Sequence, residues 1–187
     1  MGAYLGNQTI WMTASNGVSL PWAAKGTYTV ADQVPTVGSF IMPASGWNQT
    51  FTFHYSDPDG ASDLANVQVQ FNNGFDPYYY CFMVVDSAGR IYLSDDQTGA
   101  TMDPIVAGVS GGSVHNKYCS VDGGGSLLEP EGANGQKLTL AMGFTSLYSG
   151  PRGVSTMAVD RALLTSGWAN LGSYTVPSVG TTYNISG

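Results

Sequence analysis

Two runs of alternating apolar and polar residues, joined by an acidic turn, occupy residues 51–71: Phe51-Thr52-Phe53-His54-Tyr55-Ser56-Asp57-Pro58-Asp59-Gly60-Ala61-Ser62-Asp63-Leu64-Ala65-Asn66-Val67-Gln68-Val69-Gln70-Phe71. Such alternation is typical of β-strands that bury one face. Lys137–Met142 repeats the pattern, and Asp86–Gly89 predicts a tight turn between strands at Tyr78–Val85 and Arg90–Leu93. No long window carries a helical apolar stripe. We therefore predict an all-β chain, an antiparallel β-sandwich of about seven to nine strands.

The composition limits the kinds of partner that the chain can have. Its 187 residues suffice for one domain with a small additional element. A net charge of −7 disfavours contact with nucleic-acid phosphates and with acidic membrane surfaces. No stretch reaches the roughly 18 consecutive apolar residues of a membrane-spanning helix. We expect neither a nucleic-acid partner nor membrane insertion.

One motif occurs near both ends of the chain. Six of nine positions are identical between Trp22-Ala23-Ala24-Lys25-Gly26-Thr27-Tyr28-Thr29-Val30 and Trp168-Ala169-Asn170-Leu171-Gly172-Ser173-Tyr174-Thr175-Val176. Pro35–Ser39 likewise matches Pro177–Thr181. Such self-similarity is typical of a tandem array, although chance similarity between two β-strands is an alternative.

The array interpretation predicts three parts in the chain. Residues 1–34 are the closing strands of a preceding repeat, residues 35–176 are a complete unit, and residues 177–187 begin the next repeat or form a tail. The N-terminal strands lack a complete sheet, so they must dock on the unit, pair with another chain or fray. Neighbouring repeats, or self-association through these strands, are therefore expected partners.

The two cysteines, Cys81 and Cys119, are 38 positions apart. This spacing fits neither a CxxC redox motif nor a zinc knuckle, whereas one even pair suits a single disulfide. Two free thiols are the alternative. We predict the disulfide and an extracellular or cell-surface location.

Three features resemble tandem immunoglobulin-like repeats of large secreted or surface-exposed bacterial proteins: residues 51–64, the cysteine pair, and the closing segment Ser166–Val176. The resemblance covers essentially the whole complete unit. Asp57-Pro58-Asp59-Gly60 is also similar to cadherin-like repeats, several of which hold calcium in such loops. The resemblance implies an Ig-like antiparallel β-sandwich acting as an extracellular module, and it implies no particular enzyme.

The turn between the two alternating runs contains three carboxylates, Asp57, Asp59 and Asp63, around Gly60. Calcium takes about six to eight oxygen ligands, and alternating carboxylates around a glycine turn converge on one point. The spacing differs from an EF-hand loop, because Gly60 comes too early and Gln68 stands where the bidentate glutamate would be. Additional ligands would come from backbone carbonyls or from another loop, for which Asp95, Asp96 and Asp103 are the candidates. The alternative is a metal-free turn in which Asp57 and Asp59 accept backbone N–H groups.

Aromatic side chains form a second candidate site. Tyr78 and Tyr80 lie on one face of a predicted strand, near Trp47 and the amides of Asn72 and Asn73, with Trp11 and Trp22 as further rings. Flat apolar rings stack on sugars and amides bind their hydroxyl groups, which predicts a polysaccharide or cell-surface glycan as partner. The alternative is structural: the repeat-equivalent Trp22 and Trp168 fill the core or the joint between units.

Catalytic signatures are missing from the sequence. It contains no nucleophile elbow, no His-Glu-x-x-His zinc motif and no phosphate-binding glycine loop. His54 is expected to be solvated, and an isopeptide crosslink through Lys25, Lys117 or Lys137 stays open. We predict a non-catalytic extracellular Ig-like module for surface adhesion or polysaccharide binding, stabilised by calcium. The alternatives are a structural repeat or fibre subunit that assembles by strand addition, and a small secreted hydrolase.

Overall fold

The computed structural model describes residues 6–72 and 81–179. The regular structure in these ranges consists of β-strands and one 3₁₀ turn, Ser146–Tyr148. No helix there is long and apolar enough to cross a membrane. The strands are β1 (Gly6–Met12), β2 (Ala23–Val30), β3 (Thr36–Ile41), β4 (Asn48–Ser56), β5 (Leu64–Asn72), β6 (Cys81–Asp86), β7 (Arg90–Leu93), β8 (Ile105–Val106), β9 (Ser113–His115), β10 (Cys119–Glu131), β11 (Gly135–Phe144), β12 (Gly150–Asp160) and β13 (Ala169–Val176).

Two antiparallel sheets form a β-sandwich, which we call the body. One sheet has the order β3-β4-β11-β10-β9 and the other β13-β12-β5-β6-β7-β8. The predicted all-β sandwich is confirmed. The body has more strands than the predicted seven to nine, because β8 and β9 span only two and three residues and show no alternation that a sequence pattern could reveal.

The alternating runs supply the core, as predicted. In β4, Phe51, Phe53 and Tyr55 are buried, and in β5 Val67, Val69 and Phe71 are. The rings of Phe51 and Phe71 meet edge to face across the sandwich, with centroids 4.8 Å apart. From β11 come Leu138, Leu140 and Met142.

The predicted disulfide is present and links the two sheets. Cys81 begins β6 and Cys119 begins β10, with Cα atoms 6.0 Å apart. The predicted turn after β6 is also present: the Gly89 N–H donates to Asp86 O at 2.9 Å, and Gly89 has a φ of +77°. Residues 78–80 of that predicted strand lie outside the described ranges.

The N-terminal strands β1 and β2 stand apart from the body. They form a two-stranded antiparallel sheet in which, among the described strands, each pairs only with the other. The body begins at β3 and ends with β13, and the division of the chain into repeats stays a prediction. That β1 and β2 come from a preceding repeat stays a prediction at this point.

Candidate metal centre

Three segments bring aspartates together at one end of the sandwich. The β4–β5 turn contributes three of them, the linker between β2 and β3 one, and the end of β12 another. Antiparallel pairing explains the last contribution, because β12 runs beside β5 and places its final residue opposite Leu64, directly after the turn. The five residues are Asp32, Asp57, Asp59, Asp63 and Asp160.

Backbone hydrogen bonds fold the β4–β5 turn tightly. The Gly60 N–H donates to Asp57 O at 3.0 Å, and the Asp63 N–H donates to Gly60 O at 2.8 Å. Gly60 has a φ of +117°, a conformation that favours glycine. The Asp59 N–H donates to Asp57 Oδ1 at 2.8 Å. The turn-capping role predicted for Asp57 is therefore present, but it occupies only one of its two carboxylate oxygens.

Asp160 is held beside the turn by reciprocal bonds in its own loop. Its N–H donates to Leu164 O at 3.0 Å, and the Leu164 N–H donates back to Asp160 Oδ1 at 2.8 Å. The Arg161 N–H donates to Asp63 O at 2.9 Å, which joins this loop to the turn. These backbone hydrogen bonds fix the position of Asp160, and the Leu164 N–H holds its carboxylate through Oδ1.

The linker between β2 and β3 reaches the same place. The Gln33 N–H donates to Asp59 Oδ2 at 2.7 Å, so that Asp32 lies beside the turn. The linker connects the N-terminal hairpin to the body, and the acidic cluster therefore includes a residue from that junction.

The carboxylate oxygens fall into two overlapping groups. One group is Asp57, Asp63 and Asp160, and the other is Asp32, Asp59 and Asp63. Within each group the oxygens lie within 4.8 Å of one another, and Asp63 belongs to both. Asp57 and Asp160 have no solvent exposure. Carboxylates so close together repel each other strongly when ionised, all the more in a buried site.

Several of these oxygens lack any hydrogen-bond partner although they are shielded from solvent. They are both carboxylate oxygens of Asp32 and the Oδ2 atoms of Asp57, Asp63 and Asp160. An unpaired buried carboxylate costs substantial free energy. A bound cation is one ligand that would satisfy such oxygens.

The pKa values reflect this strain. Burial raises the pKa of Asp57, a backbone hydrogen bond from Asp59 opposes that rise, and the charges of the neighbouring carboxylates add to it. Burial also raises the pKa of Asp32, followed by the charge of Asp160. Without a cation, Asp32 and Asp57 therefore hold protons more tightly than isolated aspartates do.

No side chain in the described part of the structure neutralises the cluster. None of the ion pairs there involves these five aspartates. The nearest base in sequence, Arg161, donates its Nε–H to Ser62 O at 2.7 Å instead. An all-oxygen, multiply charged donor set of this kind suits a hard divalent cation.

The three predicted ligands are brought together, but the predicted additional ligands are wrong. Asp95 Oδ1 accepts the N–H groups of Gln97 and Thr98 in its own turn, and Asp96 Oδ1 accepts the N–H of Lys117. Asp103 is exposed and belongs to neither acidic group. Asp32 and Asp160 complete the cluster instead, because the linker and the end of β12 fold back onto the turn.

Only some residues of the predicted glycan platform lie within the described ranges. Trp47 is half-buried and packs against the core, and Asn72 pairs with Gly153 inside the sheet. Tyr78, Tyr80 and Asn73 lie outside the described residues. Trp22 and Trp168 are exposed, so neither fills the core of the body, and the alternative that they fill a joint between units stays a prediction. A platform built from these residues stays a prediction.

The histidine and lysine predictions have clearer outcomes. His54 lies on the outer face of β4, as expected, where its Nδ1 is 2.7 Å from Glu131 Oε2. The pair lines a surface cavity of about 600 Å³. Lys25 and Lys117 are exposed and Lys137 pairs with Glu129 at 2.9 Å, so that none lies in the core, where an isopeptide crosslink would form.

Comparisons of the chain with protein-family models, with curated proteins and with solved structures find no match. The functional interpretation therefore depends on the geometry of the acidic cluster and of the hairpin.

Proposed function

We propose that this protein is a non-catalytic, calcium-stabilised β-sandwich module of the extracellular space, built as one unit of a tandem array on a surface or secreted protein. The observation that carries the proposal is the set of unpartnered, solvent-shielded carboxylate oxygens on Asp32, Asp57, Asp63 and Asp160. A calcium ion bound there would satisfy them and offset their mutual repulsion.

The donor set favours calcium over other metals. Every candidate ligand is an oxygen atom, which disfavours zinc and copper relative to hard cations. Magnesium demands a small octahedral site and keeps much of its water, whereas calcium accepts several carboxylates in irregular geometry. The ligands here come from a turn, a linker and a strand end, an arrangement that suits the more tolerant ion.

An extracellular location supports the same interpretation. The disulfide between Cys81 and Cys119 suits an oxidising compartment. Extracellular calcium modules bind the ion with dissociation constants of about 0.1–1 mM. Where the free calcium concentration exceeds this Kd, calcium would occupy the site and act as a structural component.

Calorimetry of the full chain tests the proposal. Isothermal titration with calcium, after removal of metal by chelator, should show binding with a Kd of about 0.1–1 mM, and magnesium should bind more weakly. At a calcium concentration of about 100 Kd the folded state gains about 2.7 kcal/mol. For a chain of this size that gain corresponds to a rise in Tm of about 5–10 °C. A Tm that is the same in calcium and in chelator would refute the proposal.

A second candidate function is a structural repeat or fibre subunit that assembles through its N-terminal strands. The specific observation in its favour is the exposed apolar surface of β1 and β2, which includes Ile10, Met12 and Tyr28. Surface adhesion or polysaccharide binding remains a prediction, to be tested by polysaccharide pull-down with the calcium-loaded chain.

A further inference from the structure

The N-terminal hairpin β1–β2 has the same strand register as the hairpin β12–β13 of the body. Gly6 pairs with Val30 as Gly150 pairs with Val176, and the remaining pairs correspond one by one. Each ladder is interrupted once, between Ile10 and Trp11 in β1 and between Val154 and Ser155 in β12. Both interruptions follow the fifth pair of the ladder, so the two hairpins match in strand register, and their second strands also match in sequence.

Three of the four equivalent inward positions carry apolar side chains in both hairpins, and the fourth has Thr156 in the body and Met12 in the N-terminal hairpin. In the body, Val154, Thr156, Tyr174 and Val176 form the inward face of β12–β13, and all four are buried. Their counterparts in the N-terminal hairpin are Ile10, Met12, Tyr28 and Val30. The inward face of the N-terminal hairpin is therefore as apolar as the face that closes the body.

The body shows what such a face packs against. The ring of Tyr174 lies 5.0 Å from that of Phe51 and 5.5 Å from that of Phe144, between centroids. Its hydroxyl donates to Gly46 O at 2.7 Å. On its other edge β12 pairs with β5, placing Val154 opposite Phe71. A closing hairpin of this type thus needs an aromatic slot and a free strand edge.

Among the described residues, the N-terminal hairpin packs against no aromatic slot and pairs with no further strand edge. Tyr28 is 64% exposed where Tyr174 is 1% exposed, and Ile10 and Met12 are 48% and 56% exposed. No residue of the described range 6–34 belongs to the hydrophobic core of the body. The corresponding place in this body is already occupied by β12–β13.

We propose that the hairpin β1–β2 closes the sandwich of a preceding unit of the same construction, which supplies a β5-like strand edge to β1 and an aromatic slot to Tyr28. In the body the chain leaves β11, passes through the turn Ser146–Tyr148 and enters β12, so the closing hairpin follows the other core strands in sequence. In a covalent array of such units, the strands that β1–β2 closes therefore precede β1. The inference rests on the tandem arrangement of the proposed function and is independent of the calcium site.

A register-matched graft in the full chain tests this inference. Residues 150–156 are replaced by the sequence of residues 6–12, and residues 169–176 by that of residues 23–30, one for one. Asp160 and its loop are kept. We expect the grafted chain to unfold cooperatively, with a Tm within about 10 °C of the unaltered chain. The amides of the grafted strands should be protected from hydrogen exchange as those of β12 and β13 are.

The matched control shifts both grafted sequences by one residue, which turns the apolar face outward. This control should lose cooperative unfolding. A second variant grafts only residues 23–30 onto residues 169–176, since the bulk of Trp11 and Met12 can disturb the first graft. If neither in-register graft is more stable than the shifted control, the inference is overturned.

Two further measurements separate the outcomes. Sedimentation of the unaltered chain should show a monomer, whereas a dimer that Tyr28→Asp dissolves would assign the face to a second copy and overturn the proposal. Calcium titration of the unaltered chain reports on the proposed metal site alone. Failed grafts in a chain that binds calcium count against the hairpin inference only, and successful grafts in a chain that does not bind calcium count against the metal site only.

Discussion

Asp57 and Asp160 lie 103 positions apart in sequence, yet both are fully buried in one acidic group, and each retains an Oδ2 atom without a hydrogen-bond partner. The backbone holds each in place through its Oδ1 atom, which accepts the N–H of Asp59 or of Leu164. The partnered oxygens explain how the carboxylates are positioned, and the unpartnered ones are available to the proposed calcium ion. Without a cation, the ionised carboxylates of the cluster repel one another, because their oxygens lie within 4.8 Å in each group.

Removing one charge should relieve that strain and abolish the response to calcium. We expect Asp160→Asn to raise the stability of the metal-free chain by about 1 kcal/mol, because one buried like-charge contact disappears. Calcium should then raise the Tm little or not at all. Differential scanning calorimetry in chelator and in calcium measures both effects. Asp103→Asn, an exposed change outside the cluster, is the control and should respond to calcium like the unaltered chain.

The dependence of stability on pH should change sign with calcium. A raised pKa means that folded Asp57 binds a proton which the unfolded chain has already released above its ordinary pKa of 3.8. The metal-free chain should therefore lose stability as the pH rises from about 4 through the raised pKa. Calcium requires the ionised carboxylates, so in its presence stability should increase over the same range.

Thermal unfolding at about pH 5 and about pH 7.5 checks this prediction. In chelator the Tm should be higher at the lower pH, and in saturating calcium it should be higher at the upper pH. Asp57→Asn should flatten the metal-free profile. A metal-free Tm that climbs steadily with pH would contradict the pKa shifts.

Asp32 should link calcium binding to the junction between the hairpin and the body. Asp32→Asn is expected to weaken calcium binding several-fold while leaving the calcium-free body folded, because the residue lies outside the sandwich core. Hydrogen exchange of residues 31–34 should slow when calcium is added to the unaltered chain. Equal exchange rates with and without calcium would exclude a role for the linker.

The disulfide should make a large contribution to stability. In the chain-entropy description, closing a loop of the 38 positions between Cys81 and Cys119 stabilises the fold by about 4 kcal/mol. The double variant Cys81→Ala, Cys119→Ala should therefore unfold at a clearly lower urea concentration. A midpoint unchanged from that of the unaltered chain would show that the two sheets hold together without the crosslink.

The two repeat-equivalent tyrosines should respond differently to the same substitution. Tyr174→Ala removes a buried aromatic ring and should cost about 3–5 kcal/mol. Tyr28→Ala changes an exposed side chain and should cost less than about 0.5 kcal/mol in the single chain. Urea denaturation of both variants gives the comparison. A large cost at Tyr28 would mean that its ring is already packed within this chain.

Local pattern was sufficient for the core strands. Alternation in residues 51–55 and 66–71 predicted which side chains would be buried, because neighbouring residues in a strand point to opposite faces. The cysteine pair was also predictable, since two cysteines allow only one intramolecular disulfide. The short strands β8 and β9 were not, because segments of two and three residues are too short to show an alternating pattern.

The candidate metal centre was likewise predictable only in part from the sequence. The sequence by itself determined three candidate ligands, Asp57, Asp59 and Asp63, since one short turn contains them. Only the tertiary structure decided that Asp32 and Asp160, and not Asp95 or Asp96, join them. Strand pairing and a folded-back linker place those two carboxylates, and local sequence carries no record of such contacts. The same holds for the tyrosines: the sequence made Tyr28 and Tyr174 equivalent, but packing against the body buried only one of them.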